Sequence, residues 1–431
     1  MKTLVRLKKL LTLAGAALFA SAASAVTITI DRVQQRYPWN GLVDIDYTLS
    51  DNVSESAQFN VVATVDGVDY PARTFKALFD KSAGSHRVTW NTEADGVRLF
   101  TKNATFSLSV TIEKELDYDT VIVDLRTGKY TTAMLGADNY ESINTDENKT
   151  EKLVLRVVPA HTFTMLQAVG NFPGLPTHQV ALSSYMIGVF ELTQKQWEIV
   201  TGEDPSTFCI YTNQLYYASR PLDYVSFVQL RGPAANYSWP NDGHAVSPDS
   251  FFGKLRALTK AAGTEIEFDL LTEAQWQDAA QAGETTGGDY GYIADYLPDL
   301  SSVAAIGRRT SDHNVDLSNG TNKVGSYPPN RWGLYDMPYN AFEVVLDNTG
   351  NPNSEDANID PVGMVAERGH SKIYRGHAHS APVDPRTQLV NGHGLSWVTY
   401  RGSMGVTLPY RGSFWTSGTA LGARVGAPVI K

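Results

Sequence analysis

The feature that most constrains this chain is its cysteine content: it has a single cysteine, Cys209, among 431 residues. Because a disulfide needs two thiols, no intramolecular disulfide can form. Stability has to come from buried apolar surface, with metal ions as the other source. Cys209 lies between Phe208 and Ile210, an apolar setting that favours an inert buried thiol over a reactive one. A chain of this length exceeds one ordinary hydrophobic core, so we expect two or three domains.

Residues 1–25 are typical of a secretory signal peptide. The first nine residues carry four basic side chains and no acidic one, an apolar run follows over 10–20, and small residues offer a cleavage site after Ala25. The apolar run is too short to span a bilayer. We therefore expect a secreted, periplasmic or cell-surface protein with no membrane insertion after signal cleavage. The alternative is an uncleaved N-terminal anchor.

The net charge disfavours some classes of partner, and the composition favours one type of fold. The formal net charge is −10, and it becomes about −14 once the four basic residues of the signal peptide are removed. Such a surface disfavours nucleic acid and anionic membranes as partners, although it does not indicate a substrate. The 35 glycines and 20 prolines predict a fold rich in loops and turns.

Residues 26–114 predict a small all-β domain. Apolar and polar residues alternate over 42–49 and again over 59–65, and Asp66-Gly67 is a strong signal for a two-residue hairpin. Short alternating strands at this spacing indicate a β-sandwich of the immunoglobulin or fibronectin type. We find no catalytic constellation in it and expect a spacer or packing module. Residues 115–151 then read as one strand and a polar, turn-rich linker.

From residue 152 to 431 the pattern changes to short strands, amphipathic helices and long loops. Helices are predicted at 191–201, 226–230, 249–262 and 273–282, and Thr272 is placed to cap the last of them. Mixed strands and helices of this kind predict an α+β fold for this part of the chain.

Five sequence stretches in this region occur in a recognisable order. They are MIGVFELTQKQW at 186–197, RPLDYVSF at 220–227, LLTEAQWQDAAQAG at 270–283, VGSYPPNRWGLYDM at 324–337 and LGARV at 421–425. Together they resemble the formylglycine-generating enzyme, or sulfatase-modifying factor, family. The resemblance covers about residues 152–430. It implies an irregular, loop-rich fold of the C-type-lectin-like type, preceded here by the all-β sandwich.

The resemblance also implies a chemistry that this chain is not equipped for. Members of the family oxidise a sulfatase cysteine to formylglycine with dioxygen and a copper ion, and two cysteine thiolates near the C-terminal end hold the copper. The corresponding strand here is YRGHAHS at 374–380, and no cysteine follows it. Soft thiolates are what select Cu(I), so copper is not expected. We predict a pseudoenzyme that binds a protein or a glycan. The alternative is an enzyme acting on sulfatases, either a divergent formylglycine-generating oxidase or a histidine–metal oxygenase.

Two histidines could supply a different metal site. His377 and His379 are two residues apart, so on a strand both side chains would lie on one face. Imidazole is a suitable ligand for copper, zinc or iron. The other interpretation is that both are polar, solvent-facing loop residues.

The resemblance implies a calcium site in PYNAFEVV at 338–345. Its ligands would come from Asn340, Ala341 and Glu343, and oxygen ligands of this kind suit Ca²⁺. The chain departs from the family pattern at Tyr339, where the family has glycine, and at Val344, where it has tryptophan. A bulky Tyr339 could close the turn that would present a carbonyl to the ion, so the presence of calcium stays open.

The C-terminal part of the chain is rich in residue types that favour binding surfaces. Aromatic and arginine side chains suit contacts with proteins or glycans, and the lectin-like fold offers variable loops on a rigid scaffold. The candidate binding surface consists of Trp397, Tyr400, Arg401, Tyr410, Arg411 and Trp415.

Overall fold

The fold is taken from a computed structural model. It describes residues 3–5, 26–38, 40–98, 104–113, 115–166, 169–170, 176–203, 218–223, 225–233, 239–283, 308–309, 315–316, 321–337, 340–348, 355–363, 372–376, 383–384, 389–390, 400–404 and 421–430. No helix within these ranges is long and apolar enough to cross a membrane.

The first part of the chain consists of strands. They are β1 Thr3–Val5, β2 Ile28–Gln35, β3 Leu42–Leu49, β4 Ala57–Val65, β5 Val68–Ala72, β6 Thr74–Phe75, β7 Gly84–Asn91 and β8 Ala104–Ile112.

The remainder mixes strands with short helices. Its strands are β9 Thr120–Asp124, β10 Tyr130–Ala133, β11 Lys152–Val158, β12 His161–Met165, β13 Val169–Gly170, β14 His178–Leu182, β15 Tyr185–Gly188, β16 Asp269–Leu270, β17 Arg308–Arg309, β18 Val315–Asp316, β19 Phe342–Asn348, β20 Ala357–Ile359, β21 Lys372–Arg375, β22 Val383–Asp384, β23 Leu389–Val390, β24 Tyr400–Met404, β25 Leu421–Gly422 and β26 Val425–Pro428. The α-helices are α1 Asp146–Thr150, α2 Gln194–Thr201, α3 Phe227–Arg231, α4 Phe251–Ala261 and α5 Glu273–Gln281, and a 3₁₀ helix spans Ala137–Ile143.

The predicted β-sandwich is present. One sheet contains β2, β3 and β7, and the other has the order β5-β4-β8. Alternate residues of β3 are buried, as the sequence pattern predicted. Asp66 and Gly67 both have positive φ, 51° and 86°, and connect the Val65–Val68 pair in the hairpin that their sequence indicated. Buried apolar side chains from both sheets, together with Trp90 and Phe75, form one core.

The sandwich shares a sheet with the rest of the protein. The eight-stranded sheet has the order β1-β2-β3-β7-β6-β20-β14-β12, so β20 pairs with β6 on one side and with β14 on the other. Side chains add to this junction: Gln58 Nε2 donates to the Leu182 carbonyl at 2.9 Å, and Lys76 contacts Asp356 at 2.8 Å. Hydrogen bonds therefore join the two parts of the chain.

Residues 115–151 also belong to a sheet. The six-stranded sheet has the order β10-β9-β11-β15-β26-β16, and its first two strands come from this segment. Tyr140 is buried at 1 % exposure, where its hydroxyl meets that of Thr120 at 2.9 Å. Residues 115–151, which their polar, turn-rich sequence predicted to be one strand and a linker, thus contribute to the core of the second part of the fold.

The four predicted helices are confirmed, and local capping explains where they begin. Thr193, Ser226 and Thr272 each accept a hydrogen bond from the backbone three residues ahead, and in each case a glutamine returns a bond to the cap. Helix α5 ends at Ala282, which has left-handed geometry, followed by Gly283 at φ 88°. The predicted class, a loop-rich α+β fold preceded by a sandwich, is confirmed.

Candidate functional site

The structure brings together the three residues predicted to bind calcium. Asn340 and Ala341 lie immediately before β19, which contains Glu343. The Asn340 side chain donates to Glu191 Oε2 at 2.7 Å, and the Ala341 backbone N–H donates to Glu191 Oε1 at 2.8 Å. The side-chain amide oxygen Oδ1 of Asn340 accepts from the backbone N–H of Asn322 at 2.8 Å. Glu191, from the first family motif, is therefore the centre of this arrangement, and the sequence did not single it out.

Glu343 forms a buried ion pair with Arg424. The guanidinium of Arg424 donates from Nε to both carboxylate oxygens at 3.0 Å and from Nη2 to Oε1 at 2.7 Å. The indole N–H of Trp276 donates to Glu343 Oε2 at 2.7 Å. Arg424 and Glu343 are each 1 % exposed and Trp276 is fully buried. Three separate sequence motifs thus meet at one carboxylate.

Three buried carboxyl groups surround this single guanidinium. Burial, together with the charges of Asp336 and Glu343, raises the pKa of Glu191 well above its ordinary value. Burial likewise raises the pKa of Asp336 to about 6. Burial opposes the charge of Arg424, but Glu343 outweighs it and raises the pKa of the guanidinium. Burial and the neighbouring carboxylates therefore act against the charge of Glu191, whereas Glu343 stabilises the charge of Arg424.

The hydrogen bonds of Glu343 limit its use as a ligand for a cation. Both oxygens of Glu343 are engaged by Arg424 and Trp276, so a calcium ion could use that carboxylate only if Arg424 gave way. Within the described ranges, no group of three His, Cys, Asp or Glu residues is arranged to hold a metal. Calcium at Asn340, Ala341 and Glu343 remains a prediction.

Most other predicted site residues lie outside the described ranges. These are His377, His379, Trp397, Tyr410, Arg411, Trp415 and the single cysteine, Cys209. Tyr400 and Arg401 begin strand β24, whose backbone pairs antiparallel with β21 and parallel with β13. The predicted binding surface is therefore represented by this one strand.

A second polar cluster was not found from the sequence. Asp278 on α5 accepts from the Tyr185 hydroxyl at 2.7 Å and bonds His161 Nε2 at 2.9 Å. The other ring nitrogen of His161 faces the Pro159 carbonyl at 2.8 Å. Because both partners are acceptors, the geometry favours the imidazolium form. Burial alone would lower the pKa of His161, but the bond to Asp278 raises it above its ordinary value of 6.5.

This cluster predicts a stability that depends on pH. A histidine whose pKa is raised on folding contributes fully below its unfolded pKa, and the contribution is lost as pH rises through the folded value. We expect His161→Gln to cost about 1 kcal/mol near pH 5.5 and clearly less at pH 9. Urea unfolding at both pH values measures it, with His161→Gln/Asp278→Asn as the control that removes both partners. An equal loss at the two pH values would contradict the charged state.

Comparison with known protein families decides the identity of the second part of the fold. A family model described as the sulfatase-modifying factor enzyme 1-like domain matches residues 139–393, more than half of the chain. The chain belongs to this family. The resemblance predicted from the five motifs is confirmed. The match begins inside the 3₁₀ helix Ala137–Ile143, so the family domain includes part of the segment that packs Tyr140.

The individual relatives compared with this chain have low sequence identity to it. The curated protein described as chaperone protein LppX, from Paenibacillus barcinonensis, is 26 % identical over an alignment of 191 residues that covers 40 % of this chain and 65 % of that protein. The chain thus spans just under two thirds of that relative's length. Treponema denticola variable protein 1 covers 64 % of this chain and 96 % of its own, with a TM-score of 0.45 and 19 % identity. The structure of CarF covers 64 % and 98 %, with a TM-score of 0.36 and 17 % identity.

Proposed function

We propose that this protein is an exported, non-catalytic member of the sulfatase-modifying factor family that binds a polypeptide partner. The observation that carries the proposal is the cysteine content. Copper chemistry in the family needs two thiolates after the strand that corresponds to 374–380, and the chain's one cysteine, Cys209, precedes that strand. Without a soft donor pair, the scaffold has no means of holding Cu(I) for the oxidation.

The buried polar residues of the family motifs support this proposal. Trp276 and Arg424 both donate to Glu343 at 3.0 Å or less, and none of the three residues is more than 1 % exposed. Glu191 and Asn340 extend the same cluster and are equally inaccessible. Groups with all their polar atoms turned toward each other stabilise a fold and do not meet a substrate. The described motif residues therefore serve the scaffold.

The class of partner is inferred from the description of one relative, from the net charge and from the residue types of the predicted surface. The relative at 26 % identity is described as a chaperone protein, which favours a polypeptide over a glycan. The net charge of −10 disfavours nucleic acid. We place the partner on the surface formed by Trp397, Tyr400, Arg401, Tyr410, Arg411 and Trp415, because rigid aromatic side chains and arginines give contact area at low entropic cost. Calcium bound near Asn340 would support the neighbouring loop and take no part in chemistry.

Two measurements on the mature protein test the proposal. In the first, a Cys-x-Pro-x-Arg peptide is incubated with the protein, copper and a reductant, and mass spectrometry follows aldehyde formation. We expect none above the protein-free control. In the second, peptides selected from a displayed library are titrated against the wild type, a Trp397→Ala/Tyr400→Ala/Trp415→Ala variant and a Tyr37→Ala control on the sandwich. We expect at least a tenfold loss of affinity in the triple variant only, because interface aromatics dominate binding energy.

The opposite outcomes are equally definite. Aldehyde that disappears in a Cys209→Ser variant would establish a divergent oxidase. Aldehyde that disappears in a His377→Ala/His379→Ala variant would instead establish a histidine–metal oxygenase. Selection of glycans but no peptides on parallel arrays would replace the polypeptide partner with a sugar. Equal peptide affinity in all three proteins would remove the proposed surface.

A further inference from the structure

A cavity of about 250 Å³ lies where the sandwich meets the second part of the fold. Its walls come from both: Arg73 lies between β5 and β6, and Asp360 follows the bridging strand β20. Trp239 and His244 precede α4, and Asp269 lies on β16 at the edge of the six-stranded sheet. None of these residues belongs to the predicted binding surface.

His244 is held in one orientation on the cavity wall. Its Nδ1 lies 2.9 Å from Asp269 Oδ2, and Arg231 clamps the same carboxylate at 2.6 and 2.9 Å. Asp269 and Arg231 are almost completely buried, at 1 % and 0 % exposure. Since a carboxylate paired with arginine is ionised and only accepts, Nδ1 of His244 must donate. In the neutral ring Nε2 then carries a lone pair, and Nε2 has no partner in the part of the chain that the structure describes.

The charges around the cavity are compensated within the protein. The Asp360 carboxylate accepts from the backbone N–H and the hydroxyl of Ser183, each at 2.7 Å. Asp269 is neutralised by Arg231. The guanidinium of Arg73 donates to the Asp360 carbonyl at 2.7 Å, and among the described residues it forms no ion pair. Arg73 therefore has further N–H donors, and its positive charge is opposite to that of the Asp360 carboxylate in the same cavity lining.

The apolar side of the cavity is also defined. Trp239 is 5 % exposed and its indole N–H is bound to the Val362 carbonyl at 2.7 Å, so it offers only carbon surface to an occupant. Its ring lies 4.8 Å from that of His244. The lining thus combines an acceptor, Nε2 of His244, with the N–H donors of Arg73 and the aromatic surface of Trp239. Its net charge is small.

We propose that this cavity binds a neutral, hydroxyl-rich small molecule of about the size of one sugar ring. Each hydroxyl group both donates and accepts, so neighbouring hydroxyls can donate to His244 Nε2 and accept from Arg73. Asp269 is paired with Arg231, and the lining holds one further carboxylate, Asp360, for its one arginine, Arg73, so there is no excess positive charge to select an anion. The volume lies just below the usual range of small-molecule pockets and excludes a folded polypeptide element. None of the lining residues is among those to which the polypeptide partner is assigned.

Occupation of this cavity would strengthen the junction. The ligand would contact Arg73 of the sandwich and His244 of the second part at once, next to the strand β20 that joins the two sheets. A ligand that binds only the folded state raises the melting temperature, by an amount that grows with the ratio of its concentration to its dissociation constant. Binding and thermal stability should therefore change together.

The experiment titrates the mature protein with three neutral sugar probes: methyl α-glucoside, methyl β-galactoside and N-acetylglucosamine. Acetate and inorganic phosphate serve as anionic probes. Saturation-transfer NMR and thermal unfolding are measured on the wild type, on His244→Leu and Arg73→Met from the two walls, and on His86→Leu, a sandwich histidine outside the cavity. We expect at least one sugar to bind saturably and to raise the melting temperature. The two cavity variants should each weaken it about five- to tenfold, the effect of one lost hydrogen bond, and His86→Leu should leave it unchanged.

Contrary results are clear. Failure of all three sugars to bind the wild type, or binding of the anions alone, would overturn the proposal. So would sugar affinity that is unchanged in both His244→Leu and Arg73→Met. Because the two variants change different parts of the fold, misfolding of either one leaves the other to decide. Peptide affinity of the same proteins, measured in parallel, keeps the outcome separate from that of the proposed polypeptide partner.

Discussion

Replacement of Arg424 by methionine should lower the free energy of unfolding by about 4 kcal/mol, because removing one partner leaves a buried charge without compensation. The guanidinium bonds Glu343 and also donates to the carbonyls of Gly188 and Val189 at 3.0 and 3.1 Å and of Tyr335 at 2.8 Å. Methionine fills a similar volume but satisfies none of these acceptors. The loss thus reflects unpaired buried groups and not a cavity.

Urea unfolding of the variant measures this loss, and two further proteins show its cause. Arg424→Met/Glu343→Gln removes the orphaned charge and should recover part of the stability. Arg126→Met is the matched surface control: Arg126 pairs with Glu151, and both side chains are about half exposed, so its unfolding free energy should be nearly unchanged. A loss below about 1 kcal/mol in Arg424→Met would show that the cluster is not what holds the motifs together.

The second large effect is expected from Gly253→Ala, with a loss of about 3 kcal/mol. Inside an exposed helix, alanine in place of glycine normally stabilises by about 1 kcal/mol. Gly253 lies in α4 and is buried, and a Cβ there would come within 1.9 Å of the Ser247 carbonyl oxygen and 2.8 Å of the Pro248 Cα. Both are backbone atoms that cannot rotate away, so the close approach reverses the sign of the helix preference.

Thermal and urea unfolding of Gly253→Ala test this reversal. The control is Lys260→Ala in the same helix, where the side chain is exposed and its pairing with Glu265 is at the surface. That change should have little effect. If Gly253→Ala were as stable as the wild type or more so, the turn before α4 would have to be able to move away from the helix.

Short-range features of the fold were predictable because their causes lie within a few residues. The Asp66-Gly67 hairpin depends on two positive φ values, and the start of α5 depends on Thr272 and the glutamine three residues ahead. The family resemblance was likewise available from five short stretches, and the match over residues 139–393 confirms it.

The candidate sites were less accessible, because their partners are far apart in the chain. Asn340 and Glu343 were singled out as calcium ligands, but their contacts are Glu191 and Arg424, about 150 and 81 positions away. Nothing local in LGARV marks Arg424 as a counter-ion. Asp269 likewise gave no signal, since its role depends on Arg231 and His244 reaching it from another part of the fold.

The sequence by itself therefore determined that no disulfide can form, that the family's copper thiolates are missing, and, to within a few residues, where the helices and the hairpin lie. Composition and local spacing suffice for these three features because none of them depends on contacts between distant parts of the chain. Only the tertiary structure decided that β20, a strand of three residues, joins the sandwich to the second part, and that three buried carboxyl groups share one guanidinium. A strand that short has no periodicity to detect, and the charge state of a buried cluster depends on which groups burial brings together.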